Sequence, residues 1–125
     1  MIVDEWRIIN IDRNPEGEPP LICILRNGKL FGVIDFKPGY IEDFYDVFIV
    51  GFNPKDGKPV MYSGSITAHA LEAFDDTRTV LRLLENPENI DYVRKIYKPK
   101  PDTVRKHLRK YMDKYLKQHN ITKSH

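Results

Sequence analysis

Hydrophobic and polar positions change period near the middle of the chain. Up to about residue 64 the apolar residues fall in short runs, rich in β-branched and aromatic side chains and bounded by turn-forming residues, which is the pattern of strands. Trp6 to Ile11 is one such run, and Asn14-Pro15-Glu16-Gly17-Glu18-Pro19-Pro20 reads as the loop after it. Leu21 to Arg26 and Lys29 to Phe36 flank Asn27-Gly28, which suits a type I′ turn because both central residues need positive φ; a hairpin is predicted here. The run Leu21-Ile22-Cys23-Ile24-Leu25 does not alternate, the mark of a strand covered on both faces. Pro38-Gly39 predicts a turn. A second hairpin is expected to join Val47 to Phe52 with Pro59 to Ser63 across Asn53-Pro54-Lys55-Asp56-Gly57-Lys58.

Beyond that point the period becomes helical. Ser65 is predicted to cap a helix from about Ile66 to Phe74, and Asp75 or Asp76 to cap a second that carries Val80, Leu81, Leu83 and Leu84 up to Asn86. Asn86-Pro87 restarts the chain, and Ile90, Val93, Ile96 and Tyr97 fit the stripe of a third helix. After the stiff break Lys98-Pro99-Lys100-Pro101, Asp102 is the predicted cap of a last helix, with Val104, Leu108, Tyr111, Met112, Tyr115 and Leu116 on one face. Strands first and helices after, without βαβ alternation, predict an α+β fold: an N-terminal antiparallel sheet or open barrel of about five strands in two hairpins, followed by three to four C-terminal helices packed on one side of it. The 125 residues fit a single domain, strand-rich over 1–64 and helical over 65–119, with a flexible tail at 120–125.

Composition narrows the setting. One cysteine, Cys23, allows no intramolecular disulfide and fits a reducing compartment. No run approaches the roughly 18 apolar residues of a membrane span, and Met1-Ile2-Val3-Asp4-Glu5-Trp6 does not open like a secretory signal. A soluble, cytoplasmic protein without a membrane partner is expected. A single glutamine, Gln118, beside abundant charge leans towards a thermophilic source, and an A+T-rich genome is the alternative origin of the same bias.

The net charge of +2 conceals a division. Up to Tyr92 there are nine basic and sixteen acidic residues, a balance of −7; after it there are eleven basic and two acidic, a balance of +9. Such asymmetry points to a polyanionic or acidic partner. On a helical wheel, Lys106, Arg109, Lys110, Lys114 and Lys117 take the side opposite the apolar face of the last helix, with Arg105 at the border. Arg94, Lys95, Lys98 and Lys100 lead into it, so a basic stripe from Arg94 to Lys117 is the leading candidate for binding DNA or RNA phosphates by a small non-enzymatic module. An alternative is a protein-interaction or inhibitor module, whose contact would be the acidic-aromatic segment Tyr40, Ile41, Glu42, Asp43, Phe44, Tyr45 and Asp46.

Enzyme chemistry has few footholds. His69, His107, His119 and His125 form no zinc-binding spacing, no glycine-rich phosphate loop or nucleophile elbow occurs, and no cofactor is implied. One pattern stands apart. Asp35-Phe36-Lys37 at the end of a hairpin strand resembles the hairpin of PD-(D/E)xK nucleases, in which an acid on one strand and an acid-x-lysine on the next hold Mg²⁺ and a water. The resemblance covers about 20 residues. It implies metal-dependent cleavage of nucleic acid, with Asp35 as a metal ligand and Lys37 orienting the nucleophile or stabilising phosphorane charge. Leu21 stands where the family's other acid would be, which leaves Asp12, farther upstream, to supply it.

Overall fold

In the computed structural model, residues 3–12, 19–39, 41–72, 74 and 76–116 are described. Six strands form one antiparallel open sheet in simple chain order: β1 (Trp6–Ile11), β2 (Leu21–Arg26), β3 (Lys29–Pro38), β4 (Phe44–Phe52), β5 (Pro59–Thr67) and β6 (Tyr92–Ile96). Helices α1 (Ala68–Leu71) and α2 (Thr77–Glu85) and a 3₁₀ turn at Pro87–Asn89 lie between β5 and β6; α3 (Pro101–Tyr111) and a π-helical turn at Met112–Leu116 follow β6. The α+β class stands, with six strands and three α-helices among the described residues in place of five strands and three to four helices.

The first hairpin closes through Asn27 and Gly28 at φ of 52° and 82°, the positive pair that a type I′ turn requires. β2 sends Ile22 and Ile24 to one side of the sheet and Leu21 and Cys23 to the other, and two separate cores result. On the first face, Ile34, Phe36, Ile49 and Tyr62 meet Val80, Leu83 and Leu84 of α2 and Phe74 after α1. On the second, Val33, Val50 and Met61 meet Val104 and Leu108 of α3 and Leu116 of the π turn. The helices therefore divide between the two faces instead of gathering on one. Strands apolar on both sides require this, since a single helical layer would leave half of their apolar surface in water.

Close approach shapes the first core. Gly32 and Gly51 are paired across β3 and β4, and a Cβ on Gly51 would lie 2.7 Å from the Gly32 Cα. The notch they leave receives Leu84. Tyr62, buried on β5, donates its hydroxyl hydrogen bond to the Leu83 carbonyl in the last turn of α2, and burial holds its phenol well above the ordinary range. Tyr62→Phe leaves that carbonyl unsatisfied inside the core, and urea unfolding is expected to show a loss of about 1–3 kcal/mol.

Three local predictions are corrected. β5 continues through Ser65 to Thr67, so Ser65 is a buried strand residue and Thr67 caps α1, accepting from the Ala70 N–H at 3.1 Å. The stripe of Ile90, Val93, Ile96 and Tyr97 is not helical: Tyr92–Ile96 pairs with β5, Ile90 enters the first core, and Tyr97 packs against the second. The last helix begins at Pro101 with Lys100 as N-cap, and Asp102 sits in its first turn, where its charge favours the helix N-terminus and it bonds Arg105 at 2.8 Å. Asp76 caps α2 through the Thr79 N–H, in line with the prediction. Among the described residues no helix is long and apolar enough to cross a membrane. The tail at 120–125 lies outside the described residues.

Candidate nucleic-acid interface

α3 places its cations by the geometry of its own burial. Val104 and Leu108 turn into the second core, so Arg105, Lys106, Arg109 and Lys110 stand exposed on the outer side, and Lys114 continues the row in the π turn. Lys98 and Lys100 are exposed in the segment before the helix. Two members of the basic tract are engaged. Arg94 pairs with Asp46 at 3.3 Å, and Arg105 lies against Asp102 and over the Phe52 ring. Lys95 covers Tyr97 and Lys114 covers Tyr115, each nitrogen about a ring's reach from the face, at 4.6 and 5.3 Å. None of Lys98, Lys100, Lys106, Arg109, Lys110 and Lys114 has an ion-pair partner among the described residues. Lys117 lies outside them.

The sheet adds a cleft to this face. Beyond Val33, Val50 and Met61 the second face carries polar residues with one aromatic in each of two successive rungs, Asp35–Phe48–Ser63–Lys95 and Lys37–Asp46–Ser65–Tyr92, set by the pairing of β3, β4, β5 and β6. Tyr111, at the end of α3, donates to the Asp35 carboxylate at 2.7 Å and marks where the helix stops covering the sheet. A cleft of about 410 Å³ opens there, lined by Asp35, Lys37, Asp46, Ser63, Arg94 and Tyr111 among others. A second of about 270 Å³ shares Asp35, Lys37 and Tyr111 and adds His107, Lys110, Lys114 and Tyr115. Four cations from three parts of the chain thus surround two acids, one already held by Arg94 and the other by the Tyr111 hydroxyl.

Tyr111 and Tyr115 are half-buried against the second core, with rings 6.3 Å apart and nearly parallel. His107 lies against the Phe48 ring, and burial followed by the neighbouring Lys110 charge holds its pKa below the ordinary 6.5. The fold therefore favours neutral imidazole. Stability from this group is complete above the unfolded pKa of about 6.5 and is lost as pH falls from there through the lower folded value. Urea midpoints measured from about pH 7.5 to 5 should fall more for the natural protein than for His107→Gln.

The sequence-derived candidates are only partly brought together. Asp35 and Lys37 share the cleft, whereas Asp12 lies just past β1, two strands away, and is exposed. Asp46 of the next strand, directly opposite Lys37, is the acid beside them. In the acidic-aromatic segment, Tyr40 lies outside the described residues; Glu42 and Asp43 are exposed, Phe44 contacts Tyr92, and Tyr45 packs on the first core. Ser63 and Lys37 were not expected in a common cleft with Arg94 and Tyr111. Their signal was the polar parity of three neighbouring strands, visible only once the register is known. No protein-family model, curated protein or solved structure matches this chain.

Proposed function

We propose that the protein is a small nucleic-acid-binding module whose contact is the outer face of α3 together with the cleft at its end. One observation carries this reading: Lys98, Lys100, Lys106, Arg109, Lys110 and Lys114 are exposed and lack acidic partners among the described residues, so the +9 half is not consumed in neutralising the −7 half. Flexible exposed cations in a row neutralise successive phosphates, and the cleft adds Lys37 and the edges of Tyr111 and Tyr115. Fluorescence anisotropy with a generic duplex and a generic single strand at about 50 mM salt tests it, with dissociation constants in the range of about 10⁻⁶ to 10⁻⁴ M or tighter expected. Absence of binding to either form would overturn it.

The cleft also supports a second reading, a metal-dependent nuclease. Its favouring observation is that Asp35, Lys37 and Asp46 line one cavity, with Asp46 in place of the missing acid of the resembled hairpin. Among the described residues no three metal-ligating side chains converge, so a cation there would rest on two carboxylates, water and the substrate phosphate. Cleavage of either strand form with Mg²⁺ or Mn²⁺, abolished by Asp35→Ala, would establish the nuclease; binding without cleavage would reject it and leave the module.

A further inference from the structure

β6 is built unlike any other strand of the sheet. All five of its residues are exposed, including Tyr92 at 62%, Val93 at 40% and Ile96 at 61%. Ile41, 66% exposed, lies with Phe44, Tyr92 and Val93 around a cavity of about 510 Å³ at the same border. Most of the large hydrophobic residues left in solvent among the described residues are thus gathered on one sheet edge. The edge is the outer side of a terminal strand, with no strand paired to it among the described residues, so alternate N–H and C=O groups face outward.

The two faces of β6 differ in chemistry. Its pairing with β5 places Val93 and Ile96 on the side of Gly64 and Tyr62, and Tyr92 and Lys95 on the side of Ser65 and Ser63, where Arg94 also reaches Asp46. The register with β5 shifts between Ser63 and Gly64, so Arg94 is an extra residue that interrupts the alternation, and a strand added alongside would meet Val93 and Ile96 on one face and Lys95 on the other. A second copy of this chain is a poor occupant. Two β6 strands side by side would bring Arg94 and Lys95 near their own counterparts, a like-charge arrangement that destabilises pairing.

We infer that β6 is a docking edge for an extended peptide segment of another protein that alternates apolar and acidic residues, bound by strand addition. Backbone hydrogen bonds would supply affinity, Val93 and Ile96 the apolar contact, and Lys95 with the following Lys98 and Lys100 the preference for acids. The inference shares Lys98 and Lys100 with the nucleic-acid reading but does not depend on it, because it rests on the sheet edge and its test contains no nucleic acid.

The probe is a fluorescein-labelled peptide of about eight residues alternating valine and glutamate, compared with its valine–lysine counterpart. The glutamate peptide is expected to bind, at least about tenfold tighter than the lysine peptide, and to slow amide exchange at residues 92–96. Lys95→Glu should remove or reverse that preference, and Val93→Ser with Ile96→Ser, which leaves the charge unchanged, should weaken binding of both peptides. No binding of the glutamate peptide up to about 1 mM would overturn the inference. So would binding that leaves exchange at 92–96 unchanged, a preference unaffected by Lys95→Glu, or a concentration-dependent dimer that protects the same amides.

Discussion

Leu84→Ala is expected to lower the free energy of unfolding by about 3–5 kcal/mol, at the upper end of leucine truncations. Leu84 is fully buried, and it fills a notch that exists only because Gly32 and Gly51 lack side chains. The floor of that notch is backbone, in two paired strands at the middle of the sheet, and it cannot collapse to close the void. Against a typical total of about 5–15 kcal/mol, the variant would sit near the edge of folding. Leu81, on the same helix but only partly buried, should cost markedly less when truncated, and urea unfolding of the two variants makes the comparison. Equal losses would mean that α2 is held by general apolar contact and not by this fit.

The second large effect concerns binding. Changing Lys106, Arg109, Lys110 and Lys114 together to glutamine should weaken nucleic-acid affinity by about a hundredfold or more near 100 mM salt, because four phosphate contacts and their released counterions are lost. All four are exposed and have no ion-pair partner among the described residues, so the fold should survive, each change shifting stability by no more than about 0.5 kcal/mol. Arg105→Gln is the useful contrast. That guanidinium is occupied by Asp102 and Phe52, and its removal should affect binding much less than loss of Arg109.

The parts of the fold legible in the sequence are those where one local signal decides the geometry. Asn27-Gly28 set the first hairpin because few other pairs accept two positive φ values. The unbroken run from Leu21 to Leu25 announced burial on both faces, and that same run implies the helical layer on each side which the one-sided arrangement overlooked. β6 carries a misleading period for a physical reason. Ile90, Val93, Ile96 and Tyr97 have helical spacing, but the chain crosses the sheet edge within this stretch, so Ile90 and Tyr97 serve opposite cores and the spacing reports no common face. The cation face of α3 was legible because it lies on one continuous helix. The cleft was not, since Asp35, Asp46, Ser63, Arg94 and Tyr111 meet only through the register of four strands and the point where α3 ends.

Contact between a phosphate backbone and the exposed cations of α3 and its approaches would show in the salt dependence of binding. Affinity measured from about 50 to 300 mM salt should give a log–log slope near −4, for about five neutralised phosphates, falling towards about −1 in the four-glutamine variant. No binding at the lowest salt, or a slope that the four substitutions leave unchanged, would contradict it.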